Sequence, residues 1–287
     1  TRPRPCGAHA ILFAWSRCCA GTGFLTSRPG LTPGGYPAME PGWSNRSPRQ
    51  AVVSSSTWTT PRFLSPSYLQ QFLDGPSHSA LFLAQQEGGT ELVGVTRQLL
   101  GAPAAPFAHR GNIGPCPVPA PLMSRLRQVG NVLSSAFRLV GLFGVDYIRH
   151  GDEPWLVEIN PRYTASVEIF ELATHRKLLT EHLRAWGMDL VQSQPPGKPK
   201  NVSTNVPVVG KAILYAQRNM AAPVIEIDDP RWRDLFAVPA FADVPWPGTA
   251  IAAGEPVMTM FTKGEYVREC ADRIDELETF WHERLQA

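Results

Sequence analysis

The sequence predicts an α+β fold: an antiparallel sheet with flanking helices, followed by a small β-rich C-terminal segment. Three observations predict it. Two apolar runs, 80–86 and 91–99, are joined across Gly88-Gly89, a strong hairpin signal. Leu122, Leu126, Val129, Leu133, Phe137 and Val140 recur at helical spacing. Between 206 and 261 short apolar pieces are punctuated by Pro and Gly, as strands and turns are. With 287 residues, 43% of them hydrophobic, the chain can bury a sizeable core.

Taken in order, residues 1–66 are rich in Pro, Gly, Ser, Thr, Arg and Trp and sustain no period of 2 or 3.6. They predict an irregular or disordered segment, or a stretch read out of frame. A strand follows at Tyr68–Leu73, then the Gly88-Gly89 hairpin, then a loop from Gly101 to Pro121. Pro121 suits the first turn of the next helix and Gly141 its stop. Strands at 145–148 and 155–160 come next, then a second amphipathic helix from Ser166 to Trp186, with Gly187 as its terminator. Gln192–Ser203 reads as a linker. Beyond it lie a strand at Val206–Ala216 and a closing helix over Tyr266–Leu285, whose Val267, Cys270, Ile274, Leu277, Trp281 and Leu285 form one apolar stripe. The expected organisation is therefore an N-terminal segment 1–66, a domain over 67–190, and a β-rich subdomain over 204–287.

A formal net charge of +2 gives no footprint for nucleic acid, although residues 1–66 carry seven Arg against one Glu. No run reaches the roughly 20 apolar residues a membrane-spanning helix requires. Five Cys, an odd number without metal-ligand spacing, predict free thiols in a reducing compartment, so the expected location is the cytoplasm.

The chemistry concentrates in GVDYIRHGDEPWLVEINPRYTASVE, residues 144–168. Read as an antiparallel hairpin centred on Asp152, it sets Asp146 opposite Glu158. A period of two then puts Asn160 on the same face as Glu158. Facing carboxylates destabilise a strand pair unless a cation lies between them. With an amide oxygen beside them they make a hard oxygen site suited to Mg²⁺. The hairpin Ser67–Leu99 is expected to stack over this one. His109, in the expected loop, reads as a solvated side chain.

This pattern resembles the ATP-grasp superfamily, in which an acidic residue on one strand and a Glu-x-Asn on the next hold Mg²⁺ against ATP phosphates. Asp146, Glu158 and Asn160 match it position by position, and the resemblance extends over residues 67–285. It implies the C-terminal half of an ATP-grasp fold, with 67–190 as a partial catalytic domain. SYLQQFLDGPSHSALFLA, residues 67–84, is similar to the hinge strand of that fold. The hinge would offer main-chain groups at Gln71 and Leu73 to the adenine edge, with Gln70, Phe72, Asp74 and Gly75 completing it. The usual acidic ribose contact would fall at Ser77. The resemblance further implies Arg97 as a phosphate ligand and Arg162 as the residue that meets an acyl-phosphate or carboxylate. NPRYTASVE, GNIGP and residues 242–265 are most similar to predicted ATP-grasp carboligases related to biotin carboxylase.

The implied activity is that of a ligase using ATP and Mg²⁺ (or Mn²⁺) on a small-molecule carboxylate and a nucleophile substrate. No nucleic-acid or membrane partner is implied, and homo-oligomer formation stays open. The family also carries a Lys and a Gly-rich loop, KPxxxxGGxGI, ahead of the hinge. Here the first Lys is Lys177 and no such loop precedes Tyr68. The alternative expectation is thus a non-catalytic or inactive fragment with weak or no nucleotide binding.

Overall fold

A computed structural model describes residues 51–53, 69–71, 73–101, 107–188, 206–226 and 234–286; for 51–53, 69–71 and 286 it describes the backbone alone. Apart from 51–53, the expectation for residues 1–66 lies outside the described residues, as does the linker expected at Gln192–Ser203. Contacts divide the chain after Asp74. In the first unit β1 (Ala51–Val53) pairs in parallel with β2 (Leu69–Gln71), Ala51 opposite Leu69 and Val53 opposite Gln71.

The second unit contains β3 (Ser77–Ala84), β4 (Thr90–Leu100), β5 (His109–Gly114), α1 (Ala120–Phe137), β6 (Gly141–His150), β7 (Glu153–Asn160), α2 (Ser166–Thr174) and α3 (Leu178–Ala185). It continues through β8 (Val208–Tyr215), β9 (Met220–Ala221), β10 (Phe241–Ala242), β11 (Ala250–Ile251), β12 (Pro256–Gly264) and α4 (Val267–Gln286). Eight strands form one sheet in the order β10-β12-β8-β5-β4-β3-β6-β7, and β9 and β11 make a separate ribbon. Every neighbouring pair of the large sheet is antiparallel.

The two faces of this sheet are covered differently. On one, Phe82 and Phe143 lie opposite each other and stack with centroids 5.0 Å apart. Gly130 of α1 packs so close to Phe82 that a Cβ there would meet the ring at 2.6 Å. Along the same face Ile113, Ala212, Leu214 and Met260 are buried against Ile274 and Trp281 of α4. Arg110 of β5 ties that helix down through Glu278 at 2.9 Å. On the other face Leu81, Leu83 and Leu142 meet Val167 and Phe170 of α2 and Leu178 and Ala185 of α3. Burying each large aliphatic or aromatic side chain stabilises the fold by about 1.5–3 kcal/mol.

The Gly88-Gly89 hairpin forms as expected, with both glycines at positive φ and the Gln85 N–H donating to the Gly89 carbonyl at 3.0 Å. Four local expectations are corrected. The first helix ends at Phe137 with Arg138 in the left-handed region, so Gly141 is not its stop. Gly141 opens β6 at φ 80, where an added Cβ would run into the His182 ring. The second helix is two helices, broken at His175 (φ 58). The break separates α2, which lies over β8 and β5, from α3, which lies over β6. The expected loop 101–121 contains β5, which its Gly and Asn residues masked. Lastly, the β3–β4 hairpin is not stacked over the β6–β7 hairpin: β3 pairs directly with β6 in the same sheet.

Candidate active site

The face carrying α2 and α3 changes character along its strands. In β3 the inward sequence Leu83, Leu81 gives way to Ser79 and Ser77, and in β6 Leu142 and Gly144 give way to Asp146. Residues directly opposite in an antiparallel pair share a face. Ser79 lies opposite both Thr96 and Asp146, and Asp146 opposite Glu158. Gln98, two positions beyond Thr96, lies opposite Asn112, which lies opposite Lys211. A polar floor therefore crosses β7, β6, β3, β4, β5 and β8. A sheet face left this polar is costly to bury unless each group finds a partner.

The β6–β7 register depends on a bulge. The turn is Gly151-Asp152, with His150 opposite Glu153 and Tyr147 opposite Leu156, which would set Asp146 opposite Val157. Val157 is the extra residue, and its bulge brings Glu158 opposite Asp146 instead. Asn160 follows on the same face and is 8% exposed, with its Nδ2 donating to Asp146 Oδ2 at 3.3 Å. Pro161 turns the chain, the Arg162 N–H donating to the Asn160 carbonyl at 2.8 Å. That turn returns the Arg162 guanidinium, whose Nη2 donates to Asn160 Oδ1 at 3.2 Å.

Electrostatics single out the same carboxylates. Desolvation pushes the Asp146 carboxyl above the usual range, against the hydrogen bonds of Ser79 and Gln98 and the charges of His109 and Arg162. Glu158 is raised by desolvation and then by the Asp146 charge, with Arg162 and Asn160 opposing. His109 is exposed, and partial desolvation lowers its imidazole, with the Asp146 charge opposing the shift and the Lys211 charge adding to it. Lys211 Nζ lies 2.6 Å from Glu168 Oε2 of α2. Among the described residues no three His, Cys, Asp or Glu cluster as a metal site. Two carboxylates with an amide oxygen are nonetheless a fitting set for Mg²⁺, which keeps several waters and phosphate oxygens.

Of the residues expected at the site, Asp146, Glu158, Asn160 and Arg162 come together. Arg97 does not. It lies opposite His78, which lies opposite Tyr147, so its side chain leaves the sheet on the α1 and α4 face, away from Asp146. In the first unit Gln70 and Gln71 lie in β2, Phe72 is outside the described residues, Leu73 is half-buried and Asp74 is exposed. The sequence reading missed Ser79, Gln98, Asn112 and Lys211. The signal was present in Ser77-x-Ser79 and Thr96-x-Gln98, polar residues at strand period inside apolar strands.

Residues 49–166 match the family described as the ATP-grasp domain. An uncharacterized protein of Methanocaldococcus jannaschii is 23% identical over 199 residues, 69% of this chain and 43% of that protein. The fold is similar to that of the L-amino acid ligase from Bacillus licheniformis (TM-score 0.54, 18% identity, 73% of this chain and 51% of that one). It is also similar to phosphoribosylglycinamide synthetase from Anaerococcus prevotii (TM-score 0.53, 12% identity, 71% of this chain and 52% of that one). The chain thus spans about half the length of the proteins it matches. No helix among the described residues is long and apolar enough to cross a membrane. The match to the ATP-grasp domain thus covers the stretch that contains β3 to β7, and the fold as a whole is similar to that of these two solved structures.

Proposed function

We propose that this chain is part of an ATP-dependent ligase that activates a small-molecule carboxylate as an acyl-phosphate and passes the acyl group to an amine or similar nucleophile. The observation that carries this reading is Asp146 opposite Glu158, with Asn160 alongside, on a polar sheet face. Asp146, Glu158 and Asn160 would hold Mg²⁺ or Mn²⁺. When bound, the cation supplies charge neutralisation and orientation of the terminal phosphate. Arg162 offers a fork of donors beside the carboxylates, suited to an acyl-phosphate or to the substrate carboxylate. The hinge residues Gln70, Gln71, Phe72, Leu73 and Asp74 are proposed to meet the adenine.

In this chemistry a substrate carboxylate oxygen attacks the terminal phosphorus, and the bond to the departing ADP oxygen breaks. The nucleophile's nitrogen then attacks the acyl carbon, phosphate leaves with its oxygen, and the nitrogen releases a proton. Position and electrostatics are the protein's contribution. The fold neighbours named as a ligase and a synthetase support the reaction class, and kinship with carboligases related to biotin carboxylase is a finer proposal resting on NPRYTASVE and GNIGP.

Thermal melts of the parent and of Glu158→Gln, each with and without Mg²⁺ and ATP, test the reading. Ligand at about 100 times its Kd stabilises by about 2.7 kcal/mol, so the parent melt should rise by several degrees and the variant's rise should largely vanish. An undiminished rise in Glu158→Gln, or none in the parent, overturns it.

A further inference from the structure

Asp146 is surrounded by neutral donors, and the orientation of one of them is set a residue further out. Its carboxylate accepts from Asn160 Nδ2 at 3.3 Å, and the side chains of Ser79 and Gln98 face it as further neutral donors. Gln98 in turn is engaged by Ser77, whose Oγ donates to Oε1 at 2.5 Å. Ser77 and Ser79 occupy alternate positions of β3 on the face of Asp146, and Gln98 follows Thr96 by two on β4.

A carboxamide has one accepting end and one donating end, and an ionised carboxylate only accepts. A hydroxyl can donate or accept, so the only assignment that satisfies all three groups runs one way. The Ser77 hydroxyl donates to Gln98 Oε1, and Gln98 Nε2 donates to Asp146. Neutral donors on the flank of a metal-binding carboxylate fix which lone pairs remain free, and such outer partners typically affect metal affinity 10- to 100-fold.

We propose that Ser77 and Gln98 are positioning residues for cation binding: Ser77 locks the Gln98 amide, and Gln98 holds the Asp146 carboxylate turned across the hairpin toward Glu158. The inference rests on the reading of Asp146, Glu158 and Asn160 as the cation site. It gives a role to Ser77, the position at which the sequence departs from the acidic residue its resemblance implies. Without the Ser77 hydroxyl the amide can turn over and present oxygen to oxygen, so the loss is felt at Asp146, which Ser77 does not touch.

The test is Mn²⁺ binding to the full chain, followed by the paramagnetic resonance of free Mn²⁺, with and without a non-hydrolysable ATP analogue. Ser77→Ala and Gln98→Leu should each weaken binding about 10-fold. Because both act along one path, the double variant should be no weaker than Gln98→Leu alone. Ser77→Thr, which keeps the hydroxyl, should retain parent affinity, and metal-free melting temperatures should stay together. If Gln98→Leu fails to fold, the Ser77→Ala and Ser77→Thr pair still decides. A parent that binds and a Ser77→Ala variant that binds equally well overturn this proposal alone, as does full additivity in the double variant. A parent that binds no Mn²⁺ overturns the cation site itself.

Discussion

Asp146 and Glu158 face each other across one strand pair, and their surroundings penalise the charged form of both. A carboxyl whose folded pKa is raised stabilises the fold below its unfolded pKa, and loses that contribution as pH rises through the folded value. At neutral pH the metal-free pair is therefore a liability. Removing one charge should stabilise the metal-free chain by several tenths to about 1 kcal/mol, the scale of a facing like-charge pair. The prediction is that Glu158→Gln raises the midpoint of urea unfolding at pH 7.5 without cation. The advantage should shrink as pH falls through the raised carboxyl range toward ordinary values. A difference that grows on acidification would contradict it. At this scale the sequence was legible where chemistry and period agree, as in Glu158-x-Asn160. It misled at Arg97, which the resemblance implied as a phosphate ligand but which strand parity keeps off the floor formed by its neighbours Thr96 and Gln98.

The elements are shaped at positions where backbone and packing demands coincide. Gly141 combines a positive φ of 80 with the close approach of His182, whose Nδ1 accepts the Leu142 N–H at 2.9 Å. Gly141→Ala should cost about 1–3 kcal/mol, since it strains the backbone and displaces the ring. The expected observation is a lower urea midpoint with an unchanged slope, whereas an unchanged midpoint would show that α3 does not anchor β6 through this contact. The break between α2 and α3 has a comparable origin. Arg176 at the junction reaches both Glu91 of β4, at 2.6 Å, and Glu181 of α3. An apolar stripe continuous from Val167 to Ala185 gave no sign of it. Periodicity reports which face is buried, and both halves bury theirs on the same sheet.

For the second unit as a whole, the sheet is the cooperative object. β8 and β12 come from the C-terminal stretch, yet β8 pairs with β5, and Asn112 sits opposite Lys211. Ile274 of α4 is fully buried beneath those strands. Ile274→Ala should cost about 2–5 kcal/mol. In native-state hydrogen exchange it should speed the slowest amides of β3 and β8 by the same factor, because both open with the one sheet. Faster exchange confined to β8 and β12 would mean that the C-terminal strands open as a separate unit.

The sequence by itself determined what is local: the apolar periods of strands and helices, the Gly-Gly turn, and the spacing that puts Glu158 and Asn160 on one face. Tertiary structure decided what joins distant residues. The bulge at Val157 chose Glu158 rather than its neighbour to oppose Asp146, where a hairpin centred on Asp152 had reached the same pair without it. Pairing of β5 with β8 brought Lys211 onto the floor, and of β3 with β4 and β6 brought Ser77 and Gln98 beside Asp146. Side-chain period is fixed by backbone geometry within a few residues. Register and strand order are fixed by which apolar faces can be buried together, and that is a property of the packed sheet rather than of any one strand.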